Sequence, residues 1–404
     1  MSTFNLSRRT VLQAGAAGVV AATAGGALLA HQTGPQATGQ PLPENLTFPD
    51  SPPQPRSADS IGIAIIGLGD YALRQMMPRF AQARRAHVAG LVSGNSDKLR
   101  TVGDAYGVPE SARYSYATMK RMADNPDIDA VYIVLPTGLH AEYAERAFAA
   151  GKHVLCEKPM AITSAECERM IAAARRADRK LMIAYRCHFE PYNLKAMDLT
   201  ANGAVGDLRM IRTNQTYRMG PTDPASNWRV NAALAGGGPL EDYGLYGLQS
   251  ALYLSGEMPT SVSATTYQPA GDPRFAEIFA STSTQLAFPS GAQAQLFASY
   301  DADHSNFTEA RGTIGTMTMD PATGYGGNTL SVSGENAQDY DLGSSEGQFA
   351  AQLDHLADAI RDGTALRTPG EMGLRDIRLV EAIYASAREG RTIMLNPDGT
   401  MRNG

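Results

Sequence analysis

The feature that most constrains this chain is a short apolar run followed at once by a glycine-rich turn. The run covers residues 61–66, the turn reads Gly67-Leu68-Gly69-Asp70-Tyr71-Ala72, and a helical pattern follows over residues 73–83. In a strand-turn-helix unit the first glycine allows a tight turn, the second lets the backbone approach a pyrophosphate, and a small sixth residue lets the helix pack on the strand. The pattern predicts a Rossmann unit that opens at Ile61. The cofactor-binding candidates in this turn are Gly67, Gly69 and Tyr71.

The end of the second predicted strand indicates which dinucleotide is bound. After residues 88–92, an NAD enzyme is expected to place an Asp or Glu for the ribose hydroxyls, but this chain has Ser93-Gly94-Asn95. No carboxylate there repels a 2'-phosphate, so the sequence favours NADP over NAD. Lys98 lies close by, either as a phosphate contact or as a solvated helix lysine. The candidates here are Ser93, Asn95 and Lys98.

Two further apolar runs end in turns that we expect at the same edge of the sheet. Residues 130–135 lead into Pro136-Thr137-Gly138-Leu139-His140, and residues 153–156 lead into Glu157-Lys158-Pro159. Ligands of open α/β sheets lie beyond the carboxyl ends of the strands, so both turns are predicted to face the cofactor. For His140 a structural role, capping the next helix or packing on the loop, is favoured over a cofactor contact. The candidates are Leu135, Pro136, His140, Glu157 and Lys158.

Length and composition exclude several classes of protein. A chain of 404 residues exceeds what one hydrophobic core usually serves, so two domains are expected. With 43% hydrophobic and 19% charged residues the composition is that of a globular protein. A net charge of -6 with scattered Lys and Arg excludes a nucleic-acid partner. The spacing of the three cysteines and the separated histidines predicts neither a disulfide framework nor a metal site.

The amino terminus carries a pattern typical of export. Ser7-Arg8-Arg9-Thr10-Val11-Leu12 precedes a weakly apolar run of Ala, Gly and Val, and Leu28-Leu29-Ala30 offers a small residue for cleavage. We interpret residues 1–30 as a twin-arginine signal, which predicts a periplasmic protein with no stable membrane insertion after processing. The alternative is a chance Arg pair before an uncleaved anchor helix.

Residues 31–60 are rich in Pro, Gln, Gly and Ser and show neither helical nor strand period. They are predicted to form an extended arm. Such an arm is either a plain tether or a segment that lies on a neighbouring subunit, since proline lowers the entropy lost when an extended segment docks.

Three motifs together resemble one family, that of glucose-fructose oxidoreductase and inositol dehydrogenase. They are the turn at Gly67, the Glu157-Lys158-Pro159 triplet and Asp242-Tyr243-Gly244-Leu245-Tyr246-Gly247. Within that family the exported glucose-fructose (aldose-aldose) oxidoreductases are most similar, because the Ser-Gly-Asn turn and Tyr246 are not general to the wider family, where His is usual at the latter place. Supporting stretches are Tyr185-Arg186-Cys187-His188, Trp228-Arg229, Leu234-Ala235-Gly236-Gly237-Gly238 and Asp320-Pro321-Ala322-Thr323-Gly324-Tyr325.

The resemblance implies an α/β protein of two domains. A Rossmann domain with a doubly wound parallel sheet would cover residues 61–185, and an α+β domain with a large, mostly antiparallel open sheet would cover residues 186–404. Strand-like alternation supports the second sheet over residues 208–216, 261–267, 282–288, 292–299 and 313–319. By analogy its exposed face serves self-association, so a homo-oligomer, a dimer or tetramer, is expected.

The resemblance also assigns the reacting groups to Lys158, Asp242 and Tyr246. If residues 242–254 form a helix, Asp242 and Tyr246 share one face at i and i+4. An unperturbed Tyr, with a pKa of about 10, is a poor base at neutral pH, so the Lys158 ammonium is expected to lower the pKa of Tyr246 and to bond the reacting oxygen, while Asp242 orients the sugar. Without the resemblance, a helix Asp and Tyr are more often surface and packing residues. The resemblance further places Arg186, Trp228, Arg229 and Tyr325 at the cofactor.

These expectations combine into one function. An exported dehydrogenase meets no pool of free nicotinamide cofactor, so NADP is expected to stay tightly bound while one aldose is oxidised to its lactone and a second sugar is reduced to an alditol. The alternatives are a sugar or inositol dehydrogenase with exchangeable NAD(P), a non-catalytic sugar-binding protein of the same fold, and a glycosidase that uses NAD-assisted elimination. The sequence leaves the donor and acceptor sugars open.

Overall fold

The structure, a computed structural model, describes residues 41–53, 58–222 and 227–402. The predicted twin-arginine signal, residues 1–30, lies outside the described residues, as do residues 31–40 and 54–57 of the predicted arm. Among the described residues no helix combines the length and the apolar character needed to cross a membrane.

The first domain is built on a parallel sheet of six strands in the order 3-2-1-4-5-6. β1 is apolar and buried at every position, as expected for a central parallel strand with both faces covered. This is the doubly wound Rossmann order, and the predicted fold class is confirmed. The strands are β1 (Ile61–Ile66), β2 (Ala86–Val92), β3 (Arg113–Tyr114), β4 (Ala130–Ile133), β5 (His153–Cys156) and β6 (Leu181–Ile183).

The segment after the glycine turn differs from the regular helix that the sequence predicts. It is a π-helix, Ala72–Met76, followed by a 3-10 helix, Met77–Ala81. Pro78 is the physical reason, because it has no backbone N–H to bond the carbonyl of Arg74 and so interrupts the ordinary helical ladder.

The second domain contains a nine-stranded sheet in the order 14-13-12-11-7-10-9-8-15. Only the pair between the seventh and tenth strands is parallel, so the predicted mostly antiparallel sheet is confirmed. The strands are β7 (Leu208–Arg218), β8 (Ser261–Tyr267), β9 (Ser281–Ala287), β10 (Gln293–Ser299), β11 (Asp301–Gly312), β12 (Gly315–Met319), β13 (Leu330–Gly334), β14 (Gln338–Tyr340) and β15 (Ile393–Met394).

Helices cover the inner face of the large sheet and join it to the first domain. α6 lies on β7 and β10, and α8 packs on both β8 and α3, so one continuous apolar core runs through both domains. The helices are α1 (Ser96–Ala105), α2 (His140–Ala149), α3 (Ser164–Ala177), α4 (Pro191–Ala201), α5 (Ala232–Ala235), α6 (Leu245–Ser255), α7 (Gln348–Arg361) and α8 (Gly370–Glu389).

The described part of the predicted arm lies on this chain's own nucleotide-binding domain. Leu42, Leu46 and Phe48 pack against the core, and Arg74 donates a hydrogen bond of 2.7 Å to the backbone carbonyl of Glu44. Docking of the arm on a neighbouring subunit stays a prediction.

Candidate active site

The glycine turn has the shape that a dinucleotide pyrophosphate requires. Gly67 has φ +101°, and a side chain there would collide with the backbone carbonyl of Val134. Beside Gly69, in contrast, the space that a Cβ would enter is open. The first glycine therefore serves the turn and the packing between β1 and β4, while the second leaves backbone accessible to a ligand. The residues present fit a bound dinucleotide.

The segment after β2 lies next to this turn and places Lys98 in contact with it. Asn95 caps α1 by accepting a hydrogen bond of 3.0 Å from the backbone N–H of Lys98. The Lys98 ammonium donates 3.0 Å to the carbonyl of Leu68, inside the glycine turn. Burial lowers the pKa of Lys98, although Asp70 opposes this. Lys98 is therefore not a solvated helix lysine, and contact with a 2'-phosphate by Ser93, Asn95 or Lys98 stays a prediction.

His140 joins the two strand-end turns. Its ring nitrogens lie 2.8 Å from the carbonyl of Leu135 and 2.8 Å from the carbonyl of Pro159, and the side chain is buried. Burial also lowers the pKa of His140, although these backbone hydrogen bonds oppose the shift. Both nitrogens are engaged by backbone, so the geometry assigns His140 the structural role that the sequence favours rather than a direct cofactor contact. It fixes the turn at Leu135 and Pro136 relative to the turn that carries Lys158.

Lys158 and Asp242 meet where the first domain faces the second. The ammonium lies 3.0 Å from Asp242 Oδ1 and donates 2.7 Å to the backbone carbonyl of Asp242. The other carboxylate oxygen accepts 3.0 Å from Arg229 Nε and 2.9 Å from the Tyr300 hydroxyl. Burial alone raises the pKa of Asp242, but Lys158, Arg229 and the Tyr300 hydrogen bond outweigh it and hold the pKa well below its usual range. Asp242 is an anion throughout the working pH range.

The backbone that carries Asp242 is a π-helix, Leu240–Gly244, which runs directly into α6. The regular helix predicted over residues 242–254 is thus correct only from Leu245 onward. Tyr246 lies in the first turn of α6, with the Lys158 ammonium 4.8 Å from its ring centre. Single π turns are frequent at functional sites. This one carries Asp242, and α6, which continues it, carries Tyr246 to the same lysine.

Tyr246 has a different cationic partner from the one the sequence predicts. Arg186 Nε donates 3.2 Å to the Tyr246 hydroxyl oxygen, and the guanidinium carbon lies 4.7 Å from the ring centre. Burial raises the pKa of Tyr246, and Arg186 is the positive charge that opposes this rise. The expectation that Lys158 lowers the pKa of Tyr246 is corrected accordingly, because Lys158 lies over the ring whereas Arg186 reaches the oxygen.

Arg186 organises this side of the site from the end of β6. It is 4% exposed and donates 2.6 Å to the carbonyl of Thr323 and 2.7 Å to Gln348 Oε1. Its guanidinium also lies 4.6 Å from the ring of Tyr325, which is 40% exposed and 6.1 Å from the ring of Tyr71. Tyr71 from the glycine turn and Tyr325 from the second domain therefore form an aromatic wall backed by Arg186.

Glu157 and the Trp228-Arg229 pair complete the predicted set. Glu157 is buried and accepts hydrogen bonds from the Tyr132 hydroxyl and, at 3.2 Å, from the Lys158 backbone N–H. Burial raises its pKa, and the Tyr132 hydrogen bond and Lys158 oppose the rise. The Arg229 guanidinium stacks 4.6 Å from the Trp228 ring while its Nε bonds Asp242. Glu157 therefore lies beside Lys158, and the Trp228-Arg229 pair lies beside Asp242.

Sequence reasoning missed Tyr300, which bonds Asp242. It follows β10, and the residues around it carry no motif. β10, which pairs with β7, packs against the π-helix that carries Asp242 and so brings this tyrosine to the carboxylate. A tyrosine at the end of a strand is a weak signal that the sequence alone does not separate from ordinary packing.

Comparison with known proteins agrees with this geometry. A family described as an oxidoreductase family with an NAD-binding Rossmann fold matches residues 61–185, and the GFO/IDH/MocA C-terminal domain matches residues 193–337. An aldose-aldose oxidoreductase from Caulobacter crescentus, solved with glycerol, is 46% identical with a TM-score of 0.80, over 83% of this chain and 100% of that one.

Two more distant relatives match most of this chain. The D-xylose 1-dehydrogenase (NADP+) of Haloarcula marismortui is 29% identical over 85% of this chain and 95% of its own length. A 3-ketoreductase from Actinomadura kijaniata, solved with NADP and TDP-benzene, is 26% identical with a TM-score of 0.71, over 81% of this chain and 98% of that one. The predicted resemblance is confirmed, and this chain belongs to the GFO/IDH/MocA oxidoreductase family with an NAD-binding Rossmann fold.

Proposed function

We propose that this protein is an exported sugar oxidoreductase that keeps NADP bound, oxidises an aldose to its lactone and then reduces a second sugar to an alditol. The observation that carries the proposal is the convergence of Lys158, Asp242, Tyr246 and Arg186 beyond the carboxyl ends of β5 and β6. It is a proton-transfer site beside a dinucleotide fold. The aldose-aldose activity of the Caulobacter crescentus relative and the NADP dependence of the Haloarcula marismortui relative support the choice of substrate and cofactor.

The arrangement assigns each residue a step in the oxidation of a sugar hydroxyl. The ionised form of Tyr246 takes the hydroxyl proton, and Arg186, which donates to the same phenol oxygen, favours that ionised form against the effect of burial. The Lys158 ammonium lies between Asp242 and the Tyr246 ring and is placed to donate to the reacting oxygen. Asp242 holds Lys158 in position. When bound, NADP would accept the hydride in the first half of the cycle and return it in the second.

The reverse proton transfer suits the second half of the cycle. Burial raises the pKa of Tyr246, so its hydroxyl keeps the proton until a carbonyl oxygen needs it. The same residue therefore acts as base for the aldose and as acid for the second sugar. The proton taken in the first half is returned in the second.

The export signal predicted for residues 1–30 is the argument for a retained cofactor. Outside the cytoplasm an enzyme that released reduced cofactor would stop after one turnover. Reoxidation in place by a second sugar removes that problem. We propose that the mature protein is periplasmic and homo-oligomeric, with the open face of the nine-stranded sheet in self-association.

The test is to purify the mature protein without added nucleotide, record its near-ultraviolet absorbance, and add glucose followed by fructose or a second aldose. The absorbance of reduced nicotinamide is expected to rise with the first sugar and to disappear with the second. Turnover that requires added NADP or NAD would instead identify a dehydrogenase with exchangeable cofactor. Release of free sugar from a glycoside without alditol would identify a redox-type glycosidase.

A further inference from the structure

A group of three tyrosines lies beside the Asp242 carboxylate. The ring centre of Tyr217 is 4.9 Å from that of Tyr243 and 5.2 Å from that of Tyr300, and the Tyr243 and Tyr300 rings are 6.4 Å apart. Tyr217 comes from the end of β7, Tyr243 from the π-helix and Tyr300 from the residue after β10. Three separate elements thus deliver aromatic rings to the place where Asp242 meets Lys158.

The three tyrosines differ in what their hydroxyls do. Tyr300 is 1% exposed, and its hydroxyl donates to Asp242. Tyr217 and Tyr243 are only partly buried, and among the residues that the structure describes neither hydroxyl has a hydrogen-bond partner. These two side chains are therefore partly open to solvent, and each keeps a hydroxyl that no described residue bonds.

A small apolar cluster fixes the two rings from behind. Tyr217 and Tyr243 pack against a satellite core that is separate from the main one. Its buried members are Met219, Val230, Phe275, Ile278, Ala280 and Tyr300. Rings held in this way lose little further conformational freedom when a ligand binds, which favours affinity.

We propose that Tyr217 and Tyr243 form the wall that binds the pyranose ring of the aldose and so determine preference for a cyclic sugar donor. A tyrosine offers an apolar ring and a polar tip, and a pyranose offers a face of C–H groups rimmed by hydroxyls, so the two surfaces match. Asp242 is the neighbour of Tyr243 in the chain, which sets a bound ring next to Lys158 and Tyr246. An open-chain sugar has no rigid face to match this wall.

The inference rests on the proposed function, and it is tested first by binding without turnover. The probe is 1,5-anhydroglucitol, a pyranose that lacks the anomeric hydroxyl and so cannot form a lactone. Titration calorimetry on the purified, nucleotide-containing protein is expected to show that Y217A and Y243A each weaken its binding about tenfold, as loss of an aromatic contact predicts. Y217F and Y243F keep the ring and are expected to weaken binding less than the alanine variants.

Kinetics then separate the two half-reactions. In Y217A and Y243A the KM for glucose is expected to rise about tenfold with kcat changed less than about threefold. The KM for glyceraldehyde as acceptor, which is too short to close a pyranose ring, is expected to stay within about twofold. A matched control is Y340A, because Tyr340 is a partly buried tyrosine on the edge strand β14, away from this group.

The outcomes distinguish the two proposals. An unchanged affinity for 1,5-anhydroglucitol in the alanine variants, or an equal rise in KM for glucose and glyceraldehyde, would overturn the pyranose wall. Tight binding of the probe by the parent protein with no sugar turnover would overturn the proposed function and leave the wall intact. The phenylalanine variants and the thermal midpoint of every variant show whether an effect comes from misfolding.

Discussion

The guanidinium of Arg186 both donates a hydrogen bond of 3.2 Å to the Tyr246 hydroxyl and covers the Tyr246 ring at 4.7 Å. This pair joins the segment that follows β6 to the helix that carries the proposed base. Because burial and Arg186 act on the pKa of Tyr246 in opposite directions, the balance between them sets the pH at which the tyrosine can accept a proton.

Removing that guanidinium is expected to shift the pH dependence of sugar oxidation. In R186M the pKa of Tyr246 rises further, because burial and the nearby Glu157 lose the positive charge that opposes them. The rate of cofactor reduction at pH 7 therefore falls about tenfold or more, and the rising limb of its pH profile moves to higher pH. Stopped-flow absorbance of bound nicotinamide across pH measures this. R186K keeps the charge but not the forked geometry and is expected to shift the limb less. If the rising limb of the pH profile does not move in R186M, Arg186 does not take part in the proton transfer.

Lys158 and Tyr246 are expected to act in the chemical step rather than in cofactor binding. K158M and Y246F should each slow sugar oxidation about 100- to 10,000-fold, the range for loss of a proton-transfer group. The nucleotide content after purification should remain that of the parent protein, since the glycine turn is untouched. Rapid-mixing kinetics and nucleotide extraction check the two parts. Loss of nucleotide together with activity would contradict this division.

Asp242 is expected to stabilise the fold at every working pH. Both its oxygens are bonded, one by Lys158 and the other by Arg229 and Tyr300, so D242N leaves two cations facing a neutral amide. The free energy of unfolding should fall by about 3 kcal/mol, the typical effect of breaking a buried ion pair. Because the pKa of Asp242 is held far below neutral, the loss should be the same at pH 5 and pH 8. Denaturant unfolding at the two pH values measures it.

Glu241, the neighbour of Asp242 in the chain, is expected to have an effect on stability that changes with pH, unlike the effect of Asp242. It is 5% exposed, accepts 2.6 Å from the Gly237 N–H and 2.6 Å from the Tyr384 hydroxyl, and burial raises its pKa to about 7. Because the pKa of Glu241 is raised in the folded state, its contribution to stability is complete below about pH 4.5 and is lost as pH rises through about 7, by up to about 3 kcal/mol.

The matched variant for this effect is E241Q. Gln keeps the shape and stays neutral, so the pH-dependent loss between about pH 4.5 and 7 should disappear, and the variant should be more stable than the parent at pH 8. Thermal midpoints at pH 5 and pH 8 for both proteins test this. A parent protein whose midpoint shows the same pH dependence as that of E241Q would contradict a buried, titrating Glu241.

Lys98 offers a test of cofactor preference. Its ammonium bonds the carbonyl of Leu68 in the glycine turn, so the charge lies against the turn that would hold the dinucleotide. In K98M the affinity for NADP is expected to fall about tenfold more than the affinity for NAD, as loss of one charge-assisted contact to a phosphate predicts. Fluorescence titration of nucleotide-stripped protein gives both constants. Equal losses for the two nucleotides would restrict Lys98 to supporting the turn.

Several features of the site could be predicted because they depend on residues adjacent in the chain. The strand and turn from Ile61 to Ala72 and the Lys158 turn after β5 have the predicted form. The regular helix predicted over residues 73–83 was wrong along its whole length, because the segment is a π-helix followed by a 3-10 helix that contains Pro78. β11 was missed because its sequence has only Phe307 and two alanines as apolar residues, too few to show alternation.

The sequence by itself determined the backbone conformation of the glycine turn and the chemical groups at the ends of β4 and β5, because steric limits and apolar periodicity act over a few residues. Only the tertiary structure decided which charge meets which acceptor. Arg186 and Tyr246 are separated by 60 residues, and Asp242 and Tyr300 by 58. Their distances depend on the register of two sheets and on one shared core, and a local pattern carries no information on either.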